Sequence, residues 1–553
     1  MNEASESFLS GAGQRLRNVS QLWSVYTLTV LLAYGFAMYN LLLAGDDWDV
    51  LVGSFSPVQP LSIGRWTQTV IWRLVGYQIF SPPFTIAATC AAYLIFGCAC
   101  CLCLGLTRRE SWLIFVCMLV SFPFNAEPLV FDMAHLDLAF GIVMATVSGL
   151  LTVRSYELFE GRRKCTAMVQ ATAAVIAFVL SAAAYQTLAL FAPALVLVRL
   201  VGMLRQRRES VRLLGSMARL LGCSAVIVSI GLLFYMESMR VASWLTDTPL
   251  ISTGGYAVVD SFVTSWSELF RQVSAGLDLW RDVLFHSQHL FPIFPKVLFL
   301  VMAAALIVAM ASGGTEPDYA GPHRPITVLD STVRIAVLCG AIIMLFLAPL
   351  ALGMVRKFSS YRYDNMVGMA VPWSVVFALL FDMTNNRRRR WGIGLLAFSV
   401  IAIFVFEQGH SSVTSFLLNR HDLAIANRML ERITQNQAFA PYAKKGQADI
   451  LFYDAGQRDV LPRPLSADQF VIGAIDGCGI FNCQLRRVSS AFRQLSEADM
   501  AYQVSFWPDI PVTTSAEDRR QLEQRIQNAS SWPAPDAVIF GPGFIVVVLR
   551  KGP

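Results

Sequence analysis

WSVYTLTVLLAYGFAMYNLLLA, residues 23–44, carries no charge and runs straight into GDDWD at residues 45–49. A helix needs about 20 predominantly apolar residues to cross the ~30 Å hydrocarbon core of a bilayer. The stretch is too long for a signal-peptide core and shows no small-residue cleavage site, so it is expected to stay in place as a signal-anchor. Acidic residues at its far end are costly beside lipid unless water, a partner or chemistry holds them there. The fold therefore reads as helices crossing a membrane, with Asp46 and Asp47 at the first exit.

Working outward, the whole chain fits that reading. Its 553 residues are 55% apolar and 15% charged, with a mean hydropathy of +0.52. Soluble domains have roughly 45–50% apolar and about 25% charged residues. A polytopic α-helical membrane protein is expected. The net charge of +6 gives no reason to expect nucleic acid as a partner, because the basic residues sort by membrane side. Hydropathy predicts about eleven spans, roughly 22–44, 84–106, 110–124, 129–152, 166–183, 185–204, 218–238, 295–312, 333–353, 364–382 and 391–408. Arg15 and Arg17, Arg108 and Arg109, Arg154 with Arg162, Arg163 and Lys164, Arg205 with Arg207, Arg208 and Arg212, and Arg387 to Arg390 then fall on one side. Basic loops mark the cytoplasm. That orientation puts the N-terminus in the cytoplasm, and Asp46, Asp47, the 240–294 loop and the tail outside.

Two outward loops, 45–83 and 240–294, are rich in aromatics among charges. In LSIGRWTQTVIWRLVGYQIF, residues 61–80, Ile63, Trp66, Val70 and Leu74 recur at helical spacing, which predicts an amphipathic helix in the membrane interface. Residues 1–409 are expected to form the transmembrane domain. After His410 the composition turns ordinary, and residues 410–553 are expected to form a small periplasmic α/β domain. It includes a helix near 420–435, a strand at 449–453, a helix near 516–529 and two closing strands around Gly541-Pro542-Gly543. CACCLC, residues 98–103, scatters its thiols around a helix with no His or carboxylate nearby, and reads as small packing residues. Cys478 and Cys483 flank GIFN in the outward tail, where a disulfide suits an oxidising compartment and free thiols are the alternative.

Four groups of residues could carry chemistry. Asp46 and Asp47 can divide the roles of base and orienting acid, or can be solvated acids at a helix terminus. Arg65, in Gly64-Arg65-Trp66, can pair with a carboxylate or clamp a phosphate; its bland role is snorkelling. Glu127, Asp132, His135 and Asp137 crowd the outer end of one span and imply a polar cavity, with a sugar or hydrogen-bonded cluster preferred over a metal. Tyr185 and Gln186 add a hydroxyl and an amide at an outer break. Arg356, Lys357 and Arg362 sit on the side normally poor in cations, as expected where a lipid phosphate is held, or where headgroups are simply anchored.

DDWD after the first span, GRW in the first loop, YQ at an outer break and RK…YR near 356–363 together resemble the bacterial membrane glucosyltransferases that decorate O-antigen. The likeness covers roughly residues 25–370. It implies a fold similar to C-type glycosyltransferases, and a polyprenyl-phosphate sugar as donor at the periplasmic face. A lipopolysaccharide glycan would be the acceptor, with a donor synthase and a flippase as companions and no cofactor. It further implies Asp46 or Asp47 as the essential acid; the chemistry of that transfer then leads us to expect Arg65, Arg356, Lys357 and Arg362 on the donor phosphate, and Glu127, Asp132, His135, Tyr185 and Gln186 around sugar or acceptor. A flippase of lipid-linked saccharides is the rival from another class. An O-antigen polymerase or ligase is a third, kept open by Arg240, His286 and His289 in the second loop.

Overall fold

The computed structural model describes residues 23–40, 42, 56, 58–75, 81–125, 135–206, 210–251, 263, 265–281, 292–311, 328–351, 368–454, 485–496, 500–506, 516–541 and 543–550. In chain order the helices of the first part are α1 (Trp23–Tyr39), α2 (Gln59–Ser62), α3 (Trp66–Val75), α4 (Pro82–Leu104), α5 (Arg109–Ser121), α6 (His135–Glu160) and α7 (Lys164–Ala184). Then come α8 (Phe191–Gln206), α9 (Ser210–Thr246), α10 (Trp266–Arg281), α11 (Ile293–Ala311), α12 (Val328–Leu347), α13 (Ala370–Met383) and α14 (Arg387–Thr434). Among the described residues seven helices are long and apolar enough to cross a membrane, and α1, most of α12 and α13 are shorter apolar helices. Their outward faces are apolar: Leu32 on α1, Leu300 on α11 and Phe398 on α14 are 62%, 67% and 67% exposed. Such faces on a folded chain call for lipid as the solvent. The protein is a helical membrane protein.

Small residues set the helix spacing, as expected where lipid gives no hydrophobic drive for helices to associate. The α6–α7 pair is antiparallel and stitched along its length: Ser181 Oγ donates to Gly141 O (2.8 Å), Ser148 Oγ to Ala174 O (2.9 Å) and Ser155 Oγ to Ala167 O (2.8 Å). Helix α8 runs parallel to α6, with Gly149 against the Ala192 carbonyl and Arg199 paired to Glu157 at 3.3 Å. Gly202 lets α8 press on the Cys103 carbonyl of α4, and Cys100, Cys101 and Cys103 are fully buried in that packing. Trp373 of α13 centres an aromatic cluster with Phe299, Phe377 and Phe404.

These contacts define two ends of the bundle. At one, the Asp382 carboxylate of α13 pairs with Arg205 of α8 at 2.6 Å. It also accepts from the backbone N–H of Thr107 (3.2 Å) and Arg108 (2.9 Å) and from Ser111 Oγ (2.9 Å). The Arg-rich turns meet here. At the opposite end lie the start of α6, the end of α7 and the α2–α3 hairpin.

Helix α14 is 48 residues long. It is capped by Asn386, whose side chain accepts from Arg388 N and Arg389 N, and it leaves the bundle at the hairpin end. Gln408 Nε2 donates to Phe122 O at the end of α5 (2.6 Å), and Phe416 meets Phe36 of α1 edge-on. The helix runs unbroken through residues 409 and 410, where the composition changes. Its last turns supply Ala426, Met429, Leu430 and Ile433 to the core of an α/β unit.

That unit holds α15 (Ala440–Lys445), β1 (Gln447–Asp454), α16 (Leu485–Leu495), β2 (Ala501–Phe506), α17 (Ala516–Asn528), β3 (Val538–Phe540) and β4 (Phe544–Arg550). The sheet order is β2-β1-β4-β3, with β1 parallel to β2 and β4 and β3 antiparallel to β4. Alternation along β1 sends Ile450 and Phe452 to the face covered by α14 and α16, and Leu451 to the face covered by α17. Burial on both faces is why Phe544 to Leu549 reads as a continuous apolar run. Tyr442, its phenol pKa raised by burial, donates to Gly541 O (2.6 Å) and Phe544 O (2.9 Å) and so ties α15 to the ends of β3 and β4.

Candidate functional site

The hairpin begins with Pro60 in the first turn of α2 and closes with Gly64 N donating to Leu61 O (2.8 Å) and Arg65 N to Pro60 O (2.9 Å). Gly64 sits at φ +84°, and a Cβ there would strike Met239 Sδ and Tyr235 Oη. Only glycine fits this combination of handedness and close approach. The sequence suggested one helix across 61–80; the chain instead turns at Gly64, and the described helix is α3, Trp66–Val75. Ile251 N donates to Ser62 O (2.9 Å), and Trp66 Nε1 to Ser238 Oγ (3.0 Å), so both limbs are tied to the end of α9.

Helix α3 is amphipathic in the inverted sense. Val70, Leu74 and Val75 point out, while Thr67, Gln68, Thr69 and Trp72 are buried. A helix with polar groups inward and aliphatic groups outward suits a membrane interface over a polar interior.

Arg65, at the bend, meets the break between α7 and α8. Its guanidinium lies 3.9 Å from the Tyr185 ring centre, and its Nε donates to Gln186 Oε1 (3.0 Å). Gln186 is itself fixed, its Nε2 donating to Ile63 O (2.7 Å) and Tyr235 Oη (3.1 Å). Tyr235 Oη donates on to Gly64 O (3.2 Å). An aromatic face and an amide oxygen hold a cation without neutralising it. Among the described residues the two terminal nitrogens of Arg65 have no hydrogen-bond partner, and a guanidinium presented that way can take a phosphate or carboxylate bidentately.

Below Arg65, the Asp137 carboxylate at the start of α6 is fully buried. Trp72 Nε1 donates to its Oδ2 (2.9 Å), Gln68 stands beside it, and Arg65 acts on it electrostatically without a salt bridge. Asp137 Oδ1 and Gln68 Oε1 have no partner among the described residues. A buried polar atom left unmatched is costly in a folded protein, and with Gln68 already placed to act on the Asp137 carboxyl the pair has room for one more donor, a hydroxyl or a water.

Four of the residues singled out in the sequence are thus brought to one place: Arg65, Tyr185 and Gln186 in contact, and Asp137 below them within the electrostatic reach of Arg65. Asp46, Asp47, Glu127, Asp132, Arg356, Lys357, Arg362, Cys478 and Cys483 lie outside the described residues, and of His135 only the backbone, opening α6, is described. Gln68, Trp72, Tyr235 and Ser238 were not singled out. The spacing of Gln68 and Trp72, four residues apart on one helical face, was the available signal for the first two; nothing local marks Tyr235 or Ser238. Compared in sequence and in fold, the chain matches no protein-family model, no curated protein and no solved structure.

Proposed function

We propose that the protein is a membrane glycosyltransferase. It moves a sugar, glucose by the resemblance, from a polyprenyl-phosphate donor to a cell-surface glycan such as O-antigen at the periplasmic face of a bacterial inner membrane. The observation that carries the reading is Arg65: a guanidinium braced by Tyr185 and Gln186, with its terminal nitrogens unpartnered among the described residues. A cation prepared in this way suits a phosphate leaving group. In this reading the chain crosses the membrane eleven times with a C-type glycosyltransferase arrangement, and the α/β unit is periplasmic.

The acceptor hydroxyl attacks the anomeric carbon as Asp47 or Asp46 takes its proton, a role contributing typically about 10²–10⁴-fold. The bond from that carbon to the phosphate oxygen breaks with inversion. Its electron pair leaves on the lipid phosphate, whose charge Arg65, Arg356, Lys357 and Arg362 balance. Glu127, Asp132, His135, Tyr185 and Gln186 line the sugar or acceptor pocket. Flipping a lipid-linked saccharide would call for ionisable groups near mid-membrane. Among the described residues the two most deeply buried acids, Asp137 and Asp382, lie at helix ends, whereas Glu407 and Asp422 are buried along α14 and Arg334 along α12.

The test is sugar transfer from a defined polyprenyl-phosphate sugar to lipopolysaccharide by purified protein, with Asp46→Asn, Asp47→Asn and Arg65→Ala alongside. Transfer by wild type that collapses in one Asn variant, with folding intact, supports the mechanism. Unchanged transfer in both Asn variants refutes the acidic pair, and movement of lipid-linked sugar across vesicles with no transfer moves the assignment to a flippase.

A further inference from the structure

Four arginines, Arg387 to Arg390, make up the first turn of α14. A helix start already carries positive partial charge, so cations there raise the energy of the turn unless an anion answers them. Arg205, Arg199 and Arg219, at the same end of the bundle, are answered by Asp382, Glu157 and Glu160. Among the described residues no carboxylate pairs with any of the four in α14, and Arg387, Arg388 and Arg389 are exposed. Arg108 adds a fifth guanidinium: its Nη2 donates to Asn385 Oδ1 (3.3 Å), beside the Asn386 cap, and its Nη1 has no partner among the described residues. The lipid-facing stripe of α14 runs up to these charges. Trp391, Leu395 and Phe398 are all largely exposed, and at about 100° per residue they fall within about 60° of one another. The same geometry puts Arg387 and Arg388 on the two margins of the stripe, about 5 Å nearer the helix start than Trp391. Indoles settle at headgroup level, so these two guanidinium groups stand at the depth of lipid phosphates.

We infer that the first turn of α14 binds an acidic membrane phospholipid, its phosphate between Arg387 and Arg388 and an acyl chain along Trp391, Leu395 and Phe398. The site lies at the end of the bundle opposite Arg65 and takes no part in sugar transfer. Two guanidinium groups can share one phosphate through charge-assisted hydrogen bonds, and basic clusters at the ends of spanning helices hold acidic headgroups in this way. The anion supplies the countercharge that the helix start lacks. A zwitterionic lipid brings a cation of its own, which the arginine run repels. A free anion meets the arginines but has nothing to lay on the stripe below them.

The experiment is native mass spectrometry of delipidated full-length protein in a nonionic detergent, titrated with phosphatidylglycerol and with phosphatidylcholine of the same chains. Phosphatidylglycerol is expected to bind about tenfold more tightly, and glycerol 3-phosphate is expected not to displace it. Arg387→Gln combined with Arg388→Gln should weaken phosphatidylglycerol about tenfold and leave phosphatidylcholine unchanged. The control is Arg162→Gln with Arg163→Gln, in the turn between α6 and α7, where both arginines are exposed and unpaired among the described residues. It should alter phosphatidylglycerol binding by less than about twofold. Equal affinity for the two lipids, an equal loss in the control pair, or full affinity in Arg387→Gln with Arg388→Gln overturns the inference. Displacement by glycerol 3-phosphate overturns it too, since the turn would then be a free-anion site. Should the α14 double variant fail to fold, lipids brominated in the acyl chain decide. The fluorescence that wild type loses and Trp391→Phe does not should be quenched more by the phosphatidylglycerol than by the phosphatidylcholine, and equal quenching refutes the site.

Discussion

Asp382 and Asp137 are both carboxylates buried at helix ends, and the protein treats them in opposite ways. Asp382 is saturated: a guanidinium, two backbone N–H groups and two hydroxyls close around it and clamp α8, α13 and the turn before α5. Asp137 is half-served: an indole holds one oxygen, the other has no partner among the described residues, and the nearest cation leans on Tyr185 and Gln186 instead. A buried carboxyl with every lone pair met is architecture. One kept short of donors beside an uncommitted cation is where a ligand's polar groups have something to gain.

That contrast can be broken by experiment. The largest effect is expected from Asp382→Ala, which strands Arg205 and should cost about 3–5 kcal/mol, as losing one half of a buried pair does. Thermal unfolding in detergent should show it, while sugar transfer per folded molecule stays near wild type. Asp137→Asn keeps an acceptor for Trp72 and should melt close to wild type. Its transfer should drop roughly ten- to a hundredfold, the worth of one charged hydrogen bond at about 1.5–3 kcal/mol. If instead its melting falls as far as that of Asp382→Ala and its turnover does not change, both acids are architecture and the contrast is lost. Arg65→Lys is the finest probe. It keeps the charge but gives up the planar fork and the Tyr185 stacking, worth about 0.5–1 kcal/mol. The KM for the lipid donor should rise roughly two- to fivefold with little change in kcat, and an unaltered KM would remove Arg65 from the donor site.

How far the sequence could be read follows the range of each signal. The apolar spans are local compositional facts, and helices stand where long uncharged stretches predicted them, Pro82–Leu104 and Lys164–Ala184 among them. Arg65, Tyr185 and Gln186 stood out singly because polar groups at a membrane face are conspicuous. Their meeting across 121 residues was not legible, since no local pattern encodes which turn lands on which break. The helical spacing of Ile63, Trp66, Val70 and Leu74 concealed the bend at Gly64, although the glycine itself was the signal. At residue 410 the composition changes and the backbone does not, because composition reports a helix's surroundings and hydrogen bonding its continuity.

The unbroken α14 makes the bundle and the α/β unit a matter of phase as well as of distance. At about 1.5 Å and 100° per residue, its 48 residues extend roughly 70 Å, over twice the thickness of a bilayer's hydrocarbon core. One residue added beyond Phe416 would raise the sheet by little more than a bond length and swing it more than a quarter turn about the helix. Seven added residues would bring it back to nearly its old bearing, about 10 Å farther out. The direction in which the sheet's edge faces is thus counted out, residue by residue, along a single rod.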